Sequence, residues 1–287
     1  MEIIDGKKIA ERIKDEIVAE TCQIANSASN RRPNLAIILV GEREDSKLYV
    51  SLKEKEGVKI GIDTNLYKLD ESTSEAEILN LIGFLNRDEM IDGILVQLPL
   101  PEKFDTDKII KTINPLKDAD GFHPQHPAYL ISPVLGSILE ILKEIKFSSQ
   151  GKRACVLYNS EVFGSTLAAS LKSLGLVIDL VSFKDLDLSD DKKQQSKRGE
   201  TKKISVQADL LISALGLPGF VTKEMVKSGS VVIDIGITKL AGKVKGDVDF
   251  TDVKDVSAYI TPVPGGIGPL TIALLFRNVL EIYKHRK

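Results

Sequence analysis

The sequence predicts an α/β protein with two domains. Short apolar runs rich in Val, Ile and Leu alternate with segments whose apolar residues recur at helical spacing, which is typical of parallel sheets joined by helices. This alternation begins twice, at residues 34–41 and again at residues 151–158. A length of 287 residues also fits two domains of ordinary size, each with its own core.

The composition narrows the classes of function. A formal net charge of -2 gives no electrostatic reason to expect nucleic acid or an anionic membrane as a partner. Cys22 and Cys155 lie far apart without metal-ligand spacing, which indicates buried or free thiols in a reducing cytoplasm and predicts no metal site. The first residues lack a signal-peptide pattern, and no apolar run is long enough to span a bilayer. We therefore expect a cytoplasmic protein.

The elements of the first series follow from their periodicity. Continuous apolar runs predict buried strands, and amphipathic spacing predicts helices. The strand–helix–strand order argues for a parallel sheet with right-handed crossovers. In chain order, the expected elements are helix 9–25, strand 34–41, a helix from residue 46, strand 65–69, helix 72–85, strand 91–97 and helix 105–113.

The second series has the βαβ layout of a dinucleotide-binding fold, although its first turn contains only one glycine, Gly164, instead of a glycine-rich fingerprint. Residues 184–203 are dense in charge and poor in apolar residues, which predicts a solvated, partly disordered surface excursion. The expected elements are helix 132–145, strand 151–158, turn 159–165, helix 166–174, strand 176–181, strand 208–216, helix 222–229, strand 231–237 and helix 272–285.

Tyr49 and Lys53 are the first candidate site residues. A spacing of four puts both side chains on one helix face. That helix follows a predicted parallel strand, whose carboxyl end is where open α/β sheets bind ligands. A phenol ring can stack on a planar substrate, and a lysine whose pKa is lowered by burial can transfer a proton. The same spacing also fits an ordinary helix with a solvated face, since Lys47, Glu54 and Lys55 are close by.

Three loops add further candidates. Gln97 ends a strand just before the Leu98–Pro99 bond, which is a candidate for cis geometry. The amide of Gln97 either binds a substrate or a lysine, or caps the loop. Asp118 and Asp120 lie in a tight loop that leaves a carboxylate free to face a cleft. Residues 261–271 are dominated by glycine and proline, so their backbone can approach a ligand closely.

Together these stretches resemble the methylenetetrahydrofolate dehydrogenase/cyclohydrolase family, in its bacterial bifunctional FolD type. The resemblance covers nearly the whole chain, and its motifs are long, ordered and specific. They are Asp5-Gly6-Lys7, the set Ser46, Tyr49, Lys53 and Lys55, residues 92–101, residues 117–124 and residues 261–271.

The resemblance implies a folate-binding catalytic domain, residues 1–123 plus 270–287, and a Rossmann-like NAD(P)-binding domain, residues 124–269, in a protein that usually forms a homodimer. The implied reactions are oxidation of 5,10-methylene-tetrahydrofolate by NADP and hydrolysis of the methenyl product to 10-formyl-tetrahydrofolate. NAD is an alternative oxidant.

The resemblance also implies individual roles. Lys53 is the general acid/base, chiefly of the hydrolysis, and Gln97 is its partner. Tyr49 stacks against the folate, and Asp120 holds the pterin ring. The further substrate-binding residues implied are Ser46, Leu98, Pro99, Gly265, Gly266 and Pro269. The cofactor-binding residues implied are Asn159, Ser160, Gly164, Lys184, Gly216, Ile237 and Thr271.

The chain departs from the family mainly on the cofactor side. The family turn Gly-Arg-Ser is Tyr158-Asn159-Ser160 here. Tyr158 adds bulk where a glycine lets the backbone approach the dinucleotide, and Asn159 lacks the charge that helps neutralise the 2′-phosphate of NADP. Lys184, just after the strand expected near the adenosine ribose, is a candidate replacement for that charge.

Three alternatives stay open. The first keeps the folate site but is mainly a cyclohydrolase, with weak, absent or NAD-linked dehydrogenase activity. The second is a non-catalytic folate- or nucleotide-binding module, which would have lost acid/base residues that this chain retains. The third is a generic hydroxy-acid dehydrogenase, which would need a glycine-rich turn and a catalytic histidine. The histidines of this chain lie in a proline loop or near the tail.

Overall fold

The computed structural model describes residues 1–26, 31–184, 186, 191–240 and 242–286. These residues form two compact units. One contains Met1–Ile9 and Ile138–Pro269, and we call it the six-stranded unit after its main sheet. The other contains Ala10–Ser137 and Leu270–Lys287, and we call it the three-stranded unit.

The secondary structure alternates as the sequence predicts. The strands are β1 (Glu2–Ile3), β2 (Asn34–Val40), β3 (Asp63–Leu69), β4 (Gly93–Val96), β5 (Arg153–Tyr158), β6 (Val177–Ser182), β7 (Leu210–Ala214), β8 (Val231–Asp234), β9 (Thr238–Leu240), β10 (Lys243–Lys245) and β11 (Tyr259–Ile260). The α-helices are α1 (Gly6–Ala25), α2 (Glu44–Lys59), α3 (Glu75–Arg87), α4 (Thr106–Thr112), α5 (Pro133–Glu144), α6 (Glu161–Ser173), α7 (Asp191–Ser205), α8 (Phe250–Val253) and α9 (Ile267–His285).

The three-stranded unit is built on a parallel sheet of order β3-β2-β4. Its central strand is buried along almost its whole length, because both faces of a parallel sheet are covered by helices. Helix α3 begins with a capping box between Ser74 and Glu77, and its Ile78, Ile82 and Leu85 enter the core. The parallel register brings the carboxyl ends of β2 and β4 side by side, which positions the segments that follow them.

The six-stranded unit contains a parallel sheet of order β1-β11-β8-β7-β5-β6. Strand β5 has β6 on one side and β7 on the other, so the chain leaves β5 in one direction and later returns to its opposite side. Open α/β sheets bind ligands at the carboxyl ends of the strands beside such a switch point. The turn after β5 and the loop after β7 are therefore the expected ligand-binding edge of this unit.

Several local predictions are confirmed and others need correction. The Leu98–Pro99 bond is cis, as considered from the sequence. The predicted turn 159–165 is helical from Glu161 onward, and the predicted loop 261–271 ends where α9 begins at Ile267. The predicted helix 222–229 is only a 3₁₀ turn, Lys223–Met225. The first two differences concern boundaries, because side-chain periodicity locates the middle of an element better than its ends. The third prediction is wrong in the type of element.

The predicted surface excursion, residues 184–203, is confirmed as exposed over most of its described residues, but its secondary structure needs correction. Most of it belongs to helix α7, in which Thr201 and Ser205 are buried, although residues 185 and 187–190 lie outside the described part of the chain. The rings of Phe183 and Phe220 explain this order, since Lys197 and Arg198 on α7 lie 5.3 and 5.0 Å from their centroids. The helix is therefore attached by these two cationic side chains and by Ile204, which packs against the same core, despite its low apolar content.

The two units divide the chain at different residues from those predicted. Met1–Ile9 lies in the six-stranded unit, because β1 pairs in parallel with β11. Residues 124–137 lie in the three-stranded unit, and the division falls within α5. Among the described helices, none is both long enough and apolar enough to cross a membrane.

Helix α2 packs closely on β3 through Gly57. A Cβ atom at this position would lie 2.8 Å from Cγ2 of Thr64 and 3.0 Å from the backbone oxygen of Ile62. Both distances are shorter than ordinary contacts, so only glycine allows α2 to lie at this depth.

We expect Gly57→Ala to lower the free energy of unfolding by ~1–3 kcal/mol, because the added methyl overpacks a closed contact. Urea and thermal unfolding would measure this loss. Gly199→Ala is the matched control, since Gly199 is also helical but has no atom within 4 Å of the position of its added Cβ. Alanine is the better helix former there, so this control should gain up to ~1 kcal/mol. Equal effects of the two substitutions would contradict the packing argument.

Candidate active site

Lys53 and Gln97 form the centre of a polar site in the three-stranded unit. Lys53 lies on α2, which follows β2, and Gln97 directly follows β4. The ammonium Nζ of Lys53 donates a hydrogen bond to Oε1 of Gln97 at 2.8 Å. The Nε2 group of Gln97 donates to the backbone oxygen of Leu98 at 2.7 Å. This second bond fixes the amide so that its oxygen faces the lysine.

Asp120 contributes the opposite charge. Burial lowers the pKa of Lys53, and the nearby carboxylate of Asp120 partly opposes this effect. Burial raises the pKa of Asp120 to about 6, although the charge of Lys53 acts in the other direction and Asp118 adds to the rise. The site therefore holds an amine and a carboxyl group whose pKa values both move toward neutrality, as acid/base chemistry requires.

Asp118 holds Asp120 in place. The buried carboxylate of Asp118 accepts hydrogen bonds from the backbone amides of Asp120, Gly121 and His123 at 3.2, 3.1 and 2.7 Å. Gly121 has φ +68°, and a Cβ atom there would lie 2.9 Å from Cα of Ser132. The loop therefore depends on a glycine and on a carboxylate that binds its backbone.

Asn278 on α9 also holds the loop that carries Asp120. Its Nδ2 group donates to the backbone oxygens of Ala119 and Ile131, each at 2.9 Å. Sequence reasoning missed Asn278 as a support of the site, because its partners are more than 100 residues away in the chain. For Asp118, the spacing Asp-x-Asp-Gly was a usable signal, since aspartate side chains commonly accept hydrogen bonds from the amides that follow them.

Tyr49 and Ser46 lie on the same helix as Lys53. Tyr49 is half-buried one turn before the lysine, and Ser46 is buried. Leu98 is half-buried and Pro99 is exposed just after Gln97. The three-stranded unit thus contains the phenol ring of Tyr49, the amine of Lys53, the amide of Gln97 and the carboxyl group of Asp120. Among the described residues, no group of three or more His, Cys, Asp or Glu side chains is arranged to hold a metal ion.

The six-stranded unit carries most of the residues predicted to bind the cofactor. Asn159, in the turn after β5, donates from Nδ2 to the backbone oxygen of Leu215, after β7, at 2.8 Å. Gly216 follows with φ +72°, and the position of its Cβ has no neighbouring atom within 4 Å. Ser160 precedes α6 and makes no side-chain capping hydrogen bond. An open glycine backbone beside an uncapped helix N-terminus fits the pyrophosphate of a dinucleotide.

Tyr158 does not obstruct this edge. Its side chain is 4% exposed, and a Cβ on Gly164 would lie 2.7 Å from the ring, so the phenol packs between β5 and α6. Its hydroxyl donates to Oε1 of Glu161 at 3.3 Å. Gly164 therefore makes room for the ring, and the turn retains its exposed backbone.

The other predicted site residues are distributed over both units. Lys184 is exposed just after β6, and Ile237 is 39% exposed after β8. Gly265 and Gly266 lie just before α9, and Gly265 has φ +108°. Both glycines and Pro269 belong to the six-stranded unit, which ends at Pro269. Thr271 belongs to the three-stranded unit.

Two family models match the chain. The catalytic domain of tetrahydrofolate dehydrogenase/cyclohydrolase matches residues 4–120, and the NAD(P)-binding domain of the same family matches residues 133–287. A bifunctional protein FolD from Sulfurihydrogenibium sp. is 40% identical over 299 residues, covering 100% of this chain and 99% of the relative.

Solved structures are similar over the whole chain as well. The FolD methylenetetrahydrofolate dehydrogenase/cyclohydrolase of Campylobacter jejuni is 36% identical with a TM-score of 0.88, covering 100% of both chains. The Trypanosoma brucei enzyme, solved with NADP and an inhibitor, is 30% identical with a TM-score of 0.90, covering 99% of this chain and 98% of that one.

The charges around Asp120 predict opposite responses to two substitutions. Lys53→Met removes the attractive charge, so the pKa of Asp120 should rise above about 6. Asp118→Asn removes the repulsive charge, so the same pKa should fall. Carbon-13 NMR titration of the carboxyl groups would measure both shifts. Lys59→Met, an exposed change on the same helix, should leave Asp120 unaffected. Shifts in the same direction would contradict this arrangement.

Proposed function

Because the chain belongs to the tetrahydrofolate dehydrogenase/cyclohydrolase family, we propose that it catalyses two consecutive reactions of one-carbon metabolism. It oxidises 5,10-methylene-tetrahydrofolate to 5,10-methenyl-tetrahydrofolate with NADP, and it hydrolyses the product to 10-formyl-tetrahydrofolate. The bond between Lys53 and Gln97 at 2.8 Å, beside Asp120, is the observation that carries this proposal.

The hydrolysis assigns a role to each polar group. Water must lose a proton as it adds to the methenyl carbon, and the folate nitrogen must gain one when its bond to that carbon breaks. Lys53 can serve both steps, because its lowered pKa favours the neutral amine as a base and the resulting ammonium is then an acid. Gln97 aims the lysine, Asp120 binds the pterin, and Tyr49 stacks on the folate. Ser46, Leu98 and Pro99 complete the folate contacts.

The oxidation requires no general acid or base from the protein. The dinucleotide, when bound, would supply the hydride acceptor, so the protein has to hold the two rings in contact rather than transfer a proton. Asn159, Ser160 and Gly216 would hold the dinucleotide at the carboxyl edge of the six-stranded sheet, with Gly164 supporting the turn. We assign the remaining contacts to Lys184, Ile237 and Thr271 on the cofactor and to Gly265, Gly266 and Pro269 on the folate.

Both activities are favoured over hydrolysis alone. Relatives described as bifunctional match this chain from end to end, and the buried position of Tyr158 removes the steric objection to a dinucleotide. We further propose NADP as the preferred oxidant, with Lys184 in place of the family arginine, and a homodimer that acts in the cytoplasm.

We expect Lys53→Met to reduce the rate of methenyl-tetrahydrofolate hydrolysis by about 10²–10⁴-fold, the usual contribution of a general acid/base. Methionine matches the lysine side chain in length as far as Cε and lacks the amine, so folate affinity should change little. Stopped-flow absorbance would follow the hydrolysis, and calorimetry would follow binding. Lys59→Met is the matched control on the same helix. Unchanged hydrolysis in Lys53→Met would reject the role of this lysine.

Cofactor choice can be tested by binding alone. NADP should bind more tightly than NAD in calorimetry, and Lys184→Gln should weaken NADP by up to about fivefold, as expected for an exposed ion pair. NAD affinity should stay the same, because NAD lacks the 2′-phosphate. Lys172→Gln, an exposed change in the last turn of α6, serves as the control. Equal affinities of the two dinucleotides for the wild type would reject the preference for NADP.

A further inference from the structure

Two carboxylates are buried behind the proposed dinucleotide edge. Asp234 is the last residue of β8 and is 3% exposed, and Asp247 lies after β10 and is 0% exposed. Burying one charged group is costly, and burying two near each other costs more. Burial, together with the nearby charge of Asp247, raises the pKa of Asp234 to about 7 although backbone amides bind its carboxylate. Packing alone does not account for two carboxylates buried so close together.

Asp247 binds the loop that contains Gly216. Its Oδ2 accepts hydrogen bonds from the backbone amide of Leu215 at 2.6 Å and from the hydroxyl of Ser213 at 2.9 Å. Its Oδ1 accepts one from the backbone amide of Leu217 at 2.7 Å. One carboxylate therefore fixes the backbone on both sides of Gly216, whose φ is +72°.

Asp234 in turn fixes Asp247. The Oδ1 atom of Asp234 accepts from the amides of Asp247 at 3.1 Å and Gly236 at 3.0 Å, and its Oδ2 accepts from the amide of Val248 at 2.9 Å. The backbone amide of Asp234 donates to Oγ1 of Thr261 at 2.7 Å. Together with the bonds of Asp247, these hydrogen bonds tie β8 and the segment after β10 to the end of β7.

Two glycines make this arrangement sterically accessible. A Cβ atom on Gly236 would overlap the carboxylate of Asp247, and one on Gly246 would overlap the carboxylate of Asp234. Each aspartate therefore occupies the space where the other segment lacks a side chain. This reciprocal fit makes Gly236→Ala a way to displace Asp247 without changing its chemistry.

The network reaches the turn after β5 through one more bond. The backbone oxygen of Leu215, whose amide is held by Asp247, accepts from Nδ2 of Asn159 at 2.8 Å. A continuous path of hydrogen bonds thus runs from β8, through the loop after β7, to the turn that starts α6. These are the strand ends at which a dinucleotide binds in this class of sheet.

We propose that Asp247, held by Asp234, is a positioning residue for the dinucleotide. It sets the backbone around Gly216 and, through Leu215, the side chain of Asn159 before the cofactor arrives. The inference rests on the proposed dehydrogenase function but adds residues to it that do not themselves contact the dinucleotide. Preorganised backbone groups bind more tightly because their ordering cost is already met in the free protein.

The test compares NADP binding in three variants and one control variant by calorimetry. Asp247→Asn keeps the size of the side chain but turns an NH₂ donor toward a backbone amide, so the dissociation constant should rise by about tenfold or more, as for a lost charge-assisted bond. Gly236→Ala should produce a rise of similar size. Ser213→Ala removes a single bond and should show a smaller rise. Gly199→Ala, on an open surface of α7, should bind as the wild type does.

Methenyl-tetrahydrofolate hydrolysis, assayed without dinucleotide, reports whether the site around Lys53 in the other unit stays intact. Circular dichroism and thermal unfolding report whether the unit that carries the substitutions is folded. The expected result is a raised KM for NADP together with an unchanged KM for the folate. A purely structural role would lower the melting temperature but leave the NADP affinity of the folded protein unchanged, and that outcome overturns the inference alone. Failure of the wild type to bind NADP or NAD overturns both the dehydrogenase function and the inference.

Discussion

The hydrogen bond between Lys53 and Gln97 is the interaction on which the polar site of the three-stranded unit depends. It can form only because β2 and β4 are neighbours in a parallel sheet, so that the helix after one strand meets the segment after the other. Burial would favour a neutral lysine, and Asp120 favours a charged one. The balance of these two effects is what makes an ordinary amine suitable as both base and acid.

Aspartates that bind backbone amides recur in both units. Asp118 shapes the loop that carries Asp120, and Asp247 shapes the loop that carries Gly216. In each case a carboxylate accepts hydrogen bonds from backbone amides that lie outside the helices and strands. Glycines accompany these aspartates, because the carboxylate or the neighbouring backbone occupies the space of a Cβ atom. Irregular backbone is thereby made rigid at the positions where ligands are expected.

The cofactor side shows how a substitution in a motif can be absorbed by packing. Tyr158 stands where the family resemblance leads us to expect glycine, yet its ring fills the gap between β5 and α6 and packs against Gly164. The resemblance also leads us to expect a positively charged arginine at residue 159, and the turn Tyr158-Asn159-Ser160 contains no positive charge. The amide of Asn159 instead links the turn to Leu215, so this residue contributes to the geometry of the edge rather than to its charge.

The sequence alone determined the α/β class, the parallel strands and the candidate pair on α2, because side-chain periodicity and local turn chemistry are properties of neighbouring residues. It also indicated Gln97 and Asp120 through their positions after strands and in a tight loop. Tertiary structure decided that these groups meet, that Asn278 and Asp247 support the two loops, that β1 joins the six-stranded sheet and that residues 191–205 form a helix. Those outcomes depend on partners distant in the chain, whose burial and hydrogen bonds arise only when the strands pair and the helices pack.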